Sequence, residues 1–116
     1  MAAAGFYELS FGIESGSQRV LTEMGKKTDL EQAFVTRESC RKAGIKFTAL
    51  MMDGYPGETN ETRMETQAFL KRLCPDKVCS LGRTLVFPGT RLYESYKKLG
   101  KVTDSFWLSN EPAFVT

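Results

Sequence analysis

What most constrains this chain is a unit that recurs along it: an apolar run, a turn carrying glycine, a carboxylate and hydroxyls, then a helical pattern. Residues 6–13 lead into Gly12-Ile13-Glu14-Ser15-Gly16-Ser17, and residues 45–52 lead into Asp53-Gly54-Tyr55-Pro56-Gly57-Glu58-Thr59. A strand followed by a helix, repeated, implies parallel strands joined by right-handed crossovers. In such folds ligands sit beyond the carboxyl ends of the strands, where both of these turns fall.

The rest of the chain keeps this alternation. Phe6, Leu9, Phe11 and Ile13 give a first strand its partial alternation. Ser15 or Ser17 can cap a short helix bearing Val20, Leu21 and Met24, and Gly25 stops it. Thr28-Asp29-Leu30-Glu31 reads as a capping box for a helix with Leu30, Ala33, Phe34, Cys40 and Ala43 on one side, ended by Gly44. Residues 45–52 form the second strand. A helix from about Asn60 to Leu73 turns Met64, Phe69, Leu70 and Leu73 inward and ends at Pro75. A third strand lies within 77–87, best at Thr84-Leu85-Val86-Phe87, before Pro88-Gly89. Thr90 caps a last helix with Leu92, Tyr93, Tyr96 and Leu99 in register, and Gly100 closes it. Residues 1–102 read as one α/β domain and 103–116 as a tail, where Trp107, the only tryptophan, is expected to pack as a cover.

Composition narrows the chemistry. With 41% apolar and 26% charged residues the chain is of ordinary globular type. A net charge of +2 gives no reason to expect nucleic acid as partner, and no apolar stretch is long enough for a membrane helix. Histidine is absent, which excludes His-based triads and His-ligated metal within the chain. Cys40, Cys74 and Cys79 make an odd count without a secretory leader, so reduced thiols and a cytoplasmic location are expected. They do not complete a four-ligand metal site.

Each turn motif has an ordinary structural explanation. Pro56-Gly57-Glu58-Thr59 can be a strand-to-helix turn in which Gly54 and Gly57 supply unusual φ and Glu58 favours the helix dipole. No Gly-Lys-Ser/Thr follows, so it is not a P-loop. Glu14 can be a surface carboxylate, and Lys26 and Lys27 solvated charges. Glu14 can equally accept hydrogen bonds from the two hydroxyls of a ribose at a strand end.

Taken in order, "GIESGSQRVLTEMGKKT", "AGIKFTALMMDGYPGETNET" and "LVFPGTRLYESYKKLGKV" resemble the C-terminal half of a radical S-adenosylmethionine (radical SAM) enzyme domain. The likeness runs from about Phe6 to Val102 and is greatest to the branch often joined to a cobalamin-binding domain. It implies an incomplete (β/α)6 TIM-like barrel, with 6–13, 45–53 and 81–87 as its fourth, fifth and sixth strands. In such enzymes a [4Fe–4S] cluster on a CxxxCxxC loop binds S-adenosylmethionine, whose reductive cleavage gives a 5′-deoxyadenosyl radical.

By the same resemblance Glu14, with Ser15 beside it, contacts the ribose, and Lys26 meets the carboxylate of the methionine. Met52 packs on adenine above the turn formed by Gly54, Pro56, Gly57 and Glu58. Backbone groups at Val86 and Phe87 meet the adenine edge. CxxxCxxC is missing, as is the glycine-rich stretch of the second strand. The chain is therefore expected to be a fragment or subunit, not competent alone, with the cluster and any cobalamin held by parts outside it. The alternative is a non-catalytic α/β remnant or interaction module that binds a nucleotide or nothing.

The expected partner is the missing N-terminal half, in cis or as a separate chain. An open first-strand edge and apolar inner positions such as Phe11, Leu50 and Met52 predict self-association of the chain alone. Light scattering is expected to show a dimer or larger species at high concentration. A stable monomer there would oppose this expectation.

Overall fold

The computed structural model describes residues 2–107, with side chains through residue 105. Trp107 closes the last described helix, and its side chain and the expected cover lie outside the described residues. A short 3₁₀ turn, Ala2–Ala4, comes first. Strand β1, Glu8–Glu14, and strand β2, Lys46–Asp53, pair in parallel from Glu8 opposite Lys46 to Gly12 opposite Leu50. Strand β3, Lys77–Arg83, joins on the far side of β2, so the sheet order is β1-β2-β3 and β1 is an edge. Helices alternate with the strands, giving a parallel α/β fold.

The period of two along each strand decides what is buried. Leu9, Phe11 and Ile13 of β1 face the same way as Phe47, Ala49 and Met51 of β2. Two helices cover them: α2, Leu30–Ala43, and α3, Asn60–Leu73. Ala33, Cys40, Phe69 and Leu73 complete this core. Phe11 stacks on the fully buried Phe47 ring with centroids 4.5 Å apart. The inward expectation for Phe11 is thereby corrected: it lies on the helix side of the sheet. Gly12, Leu50 and Met52 stand on the opposite face.

Local signals account for most helix ends. Gly44 caps α2 in the left-handed region at φ 68°, and Thr90 caps α4, Arg91–Lys98, by accepting from Tyr93 N at 3.1 Å. The N-cap of α2 is Asp29, not Thr28, since the Asp29 carboxylate accepts from Glu31 N at 3.0 Å. A reciprocal capping box stands instead at Thr59 and Thr62, where α3 begins. Met64 is not inward: it is 68% exposed, and Phe69 and Leu73 carry the buried face of α3.

The third strand also differs from expectation. It runs over 77–83, and 84–87 lies outside any strand. Asp76 fixes this placement: its N–H donates to Phe47 O at 2.9 Å, and its carboxylate accepts from Phe47 N at 2.7 Å. Arg37 holds that carboxylate from α2 at 3.5 Å. The side chain thus joins the chain to β2 directly after Pro75, and β pairing starts there despite the greater strand propensity of 84–87.

The chain divides after Gly82 into two compact units. In the second, Val86, Tyr93, Tyr96 and Val102 form a separate core with Leu92 at its side. Leu99 is 67% exposed, and Val102 takes the place expected for it. The short helix α5, Asp104–Trp107, is tied to α4 through Asp104. The Tyr93 hydroxyl donates to Asp104 Oδ1 at 2.6 Å and Lys97 Nζ to Oδ2 at 2.7 Å.

These bonds hold the Asp104 carboxyl below its ordinary range, first through Lys97 and then Tyr93. Tyr93 and Lys97 are both raised, chiefly by Asp104. A depressed carboxyl stabilises above its unfolded pKa of ~3.9 and loses that contribution as pH falls through the folded value. The raised groups stabilise below their unfolded values of ~10 and lose it as pH rises through the folded ones. Circular-dichroism melts against pH are expected to show a plateau at neutral pH with a fall at each end, and Asp104→Asn should make the acidic fall shallower.

Candidate functional site

The pairing of β1 with β2 slips once, between Gly12 and Glu14, so that Ile13 is an extra residue and Glu14 stands opposite Met51. Such a bulge re-aims the side chain that follows it. Ile13 stays in the core, 6% exposed, while Glu14 takes a left-handed backbone at φ 74°. A residue other than glycine holds that conformation at a cost of about 1–2 kcal/mol.

The Glu14 carboxylate folds back over Gly12 on the open face of the sheet. A Cβ on Gly12 would stand 2.8 Å from Glu14 Oε1 and 3.7 Å from Lys26 Nζ. Gly12 thus leaves the space that the Glu14 carboxylate occupies, with the Lys26 ammonium at its border. Lys26 returns from the turn after α1, Gln18–Glu23, where its N–H donates to Leu21 O at 2.9 Å. Its ammonium donates to Gly12 O and pairs with Glu14 Oε1 at 3.7 Å. Glu14 Oε2 is buried without a hydrogen-bond partner; among the described residues only Ser17 Oγ shares that condition. Leu50 lies opposite Gly12, and Met52, half-buried, follows it two residues on along the same face.

The second turn is closed by its own residues. Gly54 is left-handed at φ 71°, and its N–H donates to Glu58 Oε2 at 2.9 Å. The Glu58 side chain is only 8% exposed and pairs with Arg63 at 3.6 Å, while Arg63 reaches Asp53 at 3.7 Å. Pro56, half-buried, stands mid-turn. Glu58 therefore shapes the turn from inside.

The second turn touches the end of α1. Tyr55 donates its hydroxyl to Glu23 O at 3.3 Å, and a Cβ on Gly57, at φ 92°, would meet Glu23 Oε2 at 2.6 Å. Ser15 is 2% exposed, and its hydroxyl is turned toward Thr66 of α3 at 3.4 Å, away from the open face. Gly16 presses on the same helix: a Cβ there would lie 2.6 Å from Thr66 Cα. Val86 and Phe87 belong to the second unit, Val86 packed in its core and Phe87 half exposed.

The structure thus brings Glu14, Lys26 and the face of Met52 to one strand end, with the Gly54–Glu58 turn adjoining through Glu23. Sequence reasoning named Gly12 only as part of the first turn and missed Glu23, Arg63 and Thr66. No local pattern marks Glu23 or Thr66, since each acts on a residue distant in the chain, while Arg63 acts on Glu58 and Asp53 of the adjoining turn. No three of His, Cys, Asp and Glu come together to hold a metal among the described residues. Cys40 is buried in the core, Cys74 exposed and Cys79 half-buried.

The family model of the Radical SAM superfamily matches residues 1–70, which carry this site whole. The chain belongs to the radical SAM superfamily. Relatives of this radical SAM chain include an uncharacterised methyltransferase of Pyrococcus horikoshii, 33% identical over 94 residues, covering 81% of this chain and 20% of that protein. An uncharacterised protein of Methanocaldococcus jannaschii is 30% identical over 90 residues, covering 78% and 28%. The chain therefore spans under a third of the length of these relatives. Coproporphyrinogen III oxidase of Escherichia coli, described as a radical SAM enzyme, has the same fold, with a TM-score of 0.69 at 22% identity over 90% of this chain and 23% of that one.

The left-handed backbone of Glu14 makes a direct prediction. Glu14→Gly is expected to be about 1 kcal/mol more stable than Glu14→Ala in urea denaturation, because only glycine adopts that φ without strain. Equal stability would mean that Glu14 is not left-handed in solution.

Proposed function

We propose that this chain is the part of a radical SAM enzyme that holds the nucleoside of S-adenosylmethionine. The observation that carries this is the Glu14 carboxylate: strained in backbone, set over a glycine, with one oxygen on Lys26 and the other without a donor. A buried acceptor left unpaired costs about 1–3 kcal/mol, and a ribose diol offers the two hydroxyl donors that would satisfy it.

In this reading Met52 supplies an apolar surface to adenine, on the same sheet face as Gly12. Gly54, Pro56, Gly57 and Glu58 support that base from the adjoining turn, and Ser15 braces Glu14 from behind. Lys26 neutralises Glu14 and brings a positive charge toward the methionine carboxylate. S-adenosylmethionine, reduced through a [4Fe–4S] cluster, supplies the radical chemistry. The cluster is proposed to sit on cysteines outside this chain, in a remaining barrel half that pairs with the β1 edge, in cis or as another subunit. The same open edge would favour self-association of the isolated chain. The methyltransferase name of the Pyrococcus relative supports methyl transfer as the reaction class; cobalamin on a further domain belongs to the proposal through the resemblance alone.

The test is a titration of the chain with S-adenosylmethionine, followed by amide chemical shifts. Shifts are expected at Gly12, Glu14, Lys26 and Leu50–Met52. Glu14→Gln should weaken binding ~10-fold or more, the range for a hydrogen bond to a charged group. Gly12→Ala should weaken it too, by displacing the carboxylate. No shifts at the two strand ends, or affinity unchanged in both variants, would overturn the proposal.

A further inference from the structure

We infer that Thr66, on the outer helix α3, is the positioning residue that holds Glu14 in its left-handed conformation, and so sets nucleoside affinity without touching the nucleoside. The inference rests on the proposed role of Glu14 for its functional consequence, but not for its geometry.

The three residues after Glu14 are fixed through one hydroxyl. Gly16 N–H donates to Thr66 Oγ1 at 3.0 Å, Ser15 Oγ lies 3.4 Å from the same atom, and Ser17 N–H donates to Ser15 Oγ at 3.1 Å. Thr66 Oγ1 lies 3.1 Å from Thr62 O, to which it donates its only proton. A hydroxyl has one proton and two lone pairs. Ser15 must therefore donate to Thr66, and the order is Ser17 N–H to Ser15, Ser15 to Thr66, Thr66 to Thr62 O. With Gly16 N–H on its second lone pair, the Thr66 hydroxyl is saturated.

Packing enforces the same approach. The absence of a Cβ on Gly16 lets its backbone come against Thr66 Cα and Phe69, where a Cβ would lie 2.6 and 2.8 Å from the nearest atoms. Before Glu14, pairing with β2 through Gly12 and burial of Ile13 fix the chain. Glu14 is bracketed between a paired strand and a segment bound to α3. Strained residues persist only where the surroundings over-determine them in this way.

Thr66 is in turn anchored to the second turn. Thr62, 1% exposed, accepts from Thr59 N at 2.8 Å within the capping box that starts α3. A column of three threonines thus runs from the end of the β2 turn to the residue beside Glu14. Replacing the Thr66 hydroxyl would leave the Gly16 N–H and the Ser15 hydroxyl without the partner they share.

The experiment uses the full chain with Thr66→Val, which keeps the shape and removes the hydroxyl, and Thr66→Ser, which keeps the hydroxyl. Thr66→Ala stands in if the valine variant does not fold. The first readout needs no ligand: a residue at positive φ has a short HN–Hα distance and a strong intraresidue Overhauser peak. That peak at Glu14 is expected in the parent and in Thr66→Ser, and to weaken in Thr66→Val. The second readout is S-adenosylmethionine affinity, expected to fall ~10-fold in Thr66→Val, as for loss of one or two hydrogen bonds, and to recover in Thr66→Ser. An unchanged Glu14 peak in folded Thr66→Val overturns the inference. A weakened peak in a chain whose parent does not bind S-adenosylmethionine upholds the positioning role and refutes the nucleoside reading.

Discussion

The site depends on one backbone event, the slip of β1 against β2 at Ile13. Without it Glu14 would continue the strand and project from it like Gly12. With it, Ile13 keeps its place among the core residues, and the next residue must take a left-handed turn. That turn lays the carboxylate over Gly12, where Lys26 can reach both it and the Gly12 carbonyl. The core and the site are thus linked through adjacent residues: burial of Ile13 is the local condition for the placement of Glu14.

Stability and the proposed function pull in opposite directions at this point. A left-handed glutamate and a buried, unpaired carboxylate oxygen both cost free energy. The compensation lies behind the site, in Phe11 on Phe47, in the Gly16–α3 contact and in the threonine column. Strain at a strand end backed by a rigid support is the arrangement expected of a pre-organised ligand site. The second turn lacks strain at its carboxylate. Glu58 is consumed in closing the loop, so the two similar-looking motifs do different work: one holds a free acceptor, the other shapes a surface.

The fold was legible where short-range chemistry controls it. Gly44 and Gly100 end helices because a left-handed cap suits glycine, and Thr90 starts one because its hydroxyl reaches an unpaired N–H. The position of β3 was not legible. Thr84-Leu85-Val86-Phe87 has the better strand composition, but Asp76 is what attaches the chain to β2, and a single aspartate carries no pattern that announces this. Asp29 displaced Thr28 as a cap for a similar reason: both can serve, and the path of the chain decided between them. Phe11 and Phe47 belong to the same side of the sheet only once the register is set.

The sequence by itself determined the alternation of strand and helix, the two glycine-bearing turns at strand ends and the superfamily to which they belong. Those follow from periodicity, from turn chemistry and from the order of three motifs, all local along the chain. It also named Glu14 and Lys26. Only the tertiary structure decided that they form a pair over Gly12, that one carboxylate oxygen is left without a donor, and that Thr66 stands behind them. The reason is range: each of these facts joins residues from 12 to more than 50 positions apart in the chain, such as Lys26 on Gly12 and Thr66 on Ser15. Such contacts exist only after the sheet register and the docking of α3 have fixed the distances between them.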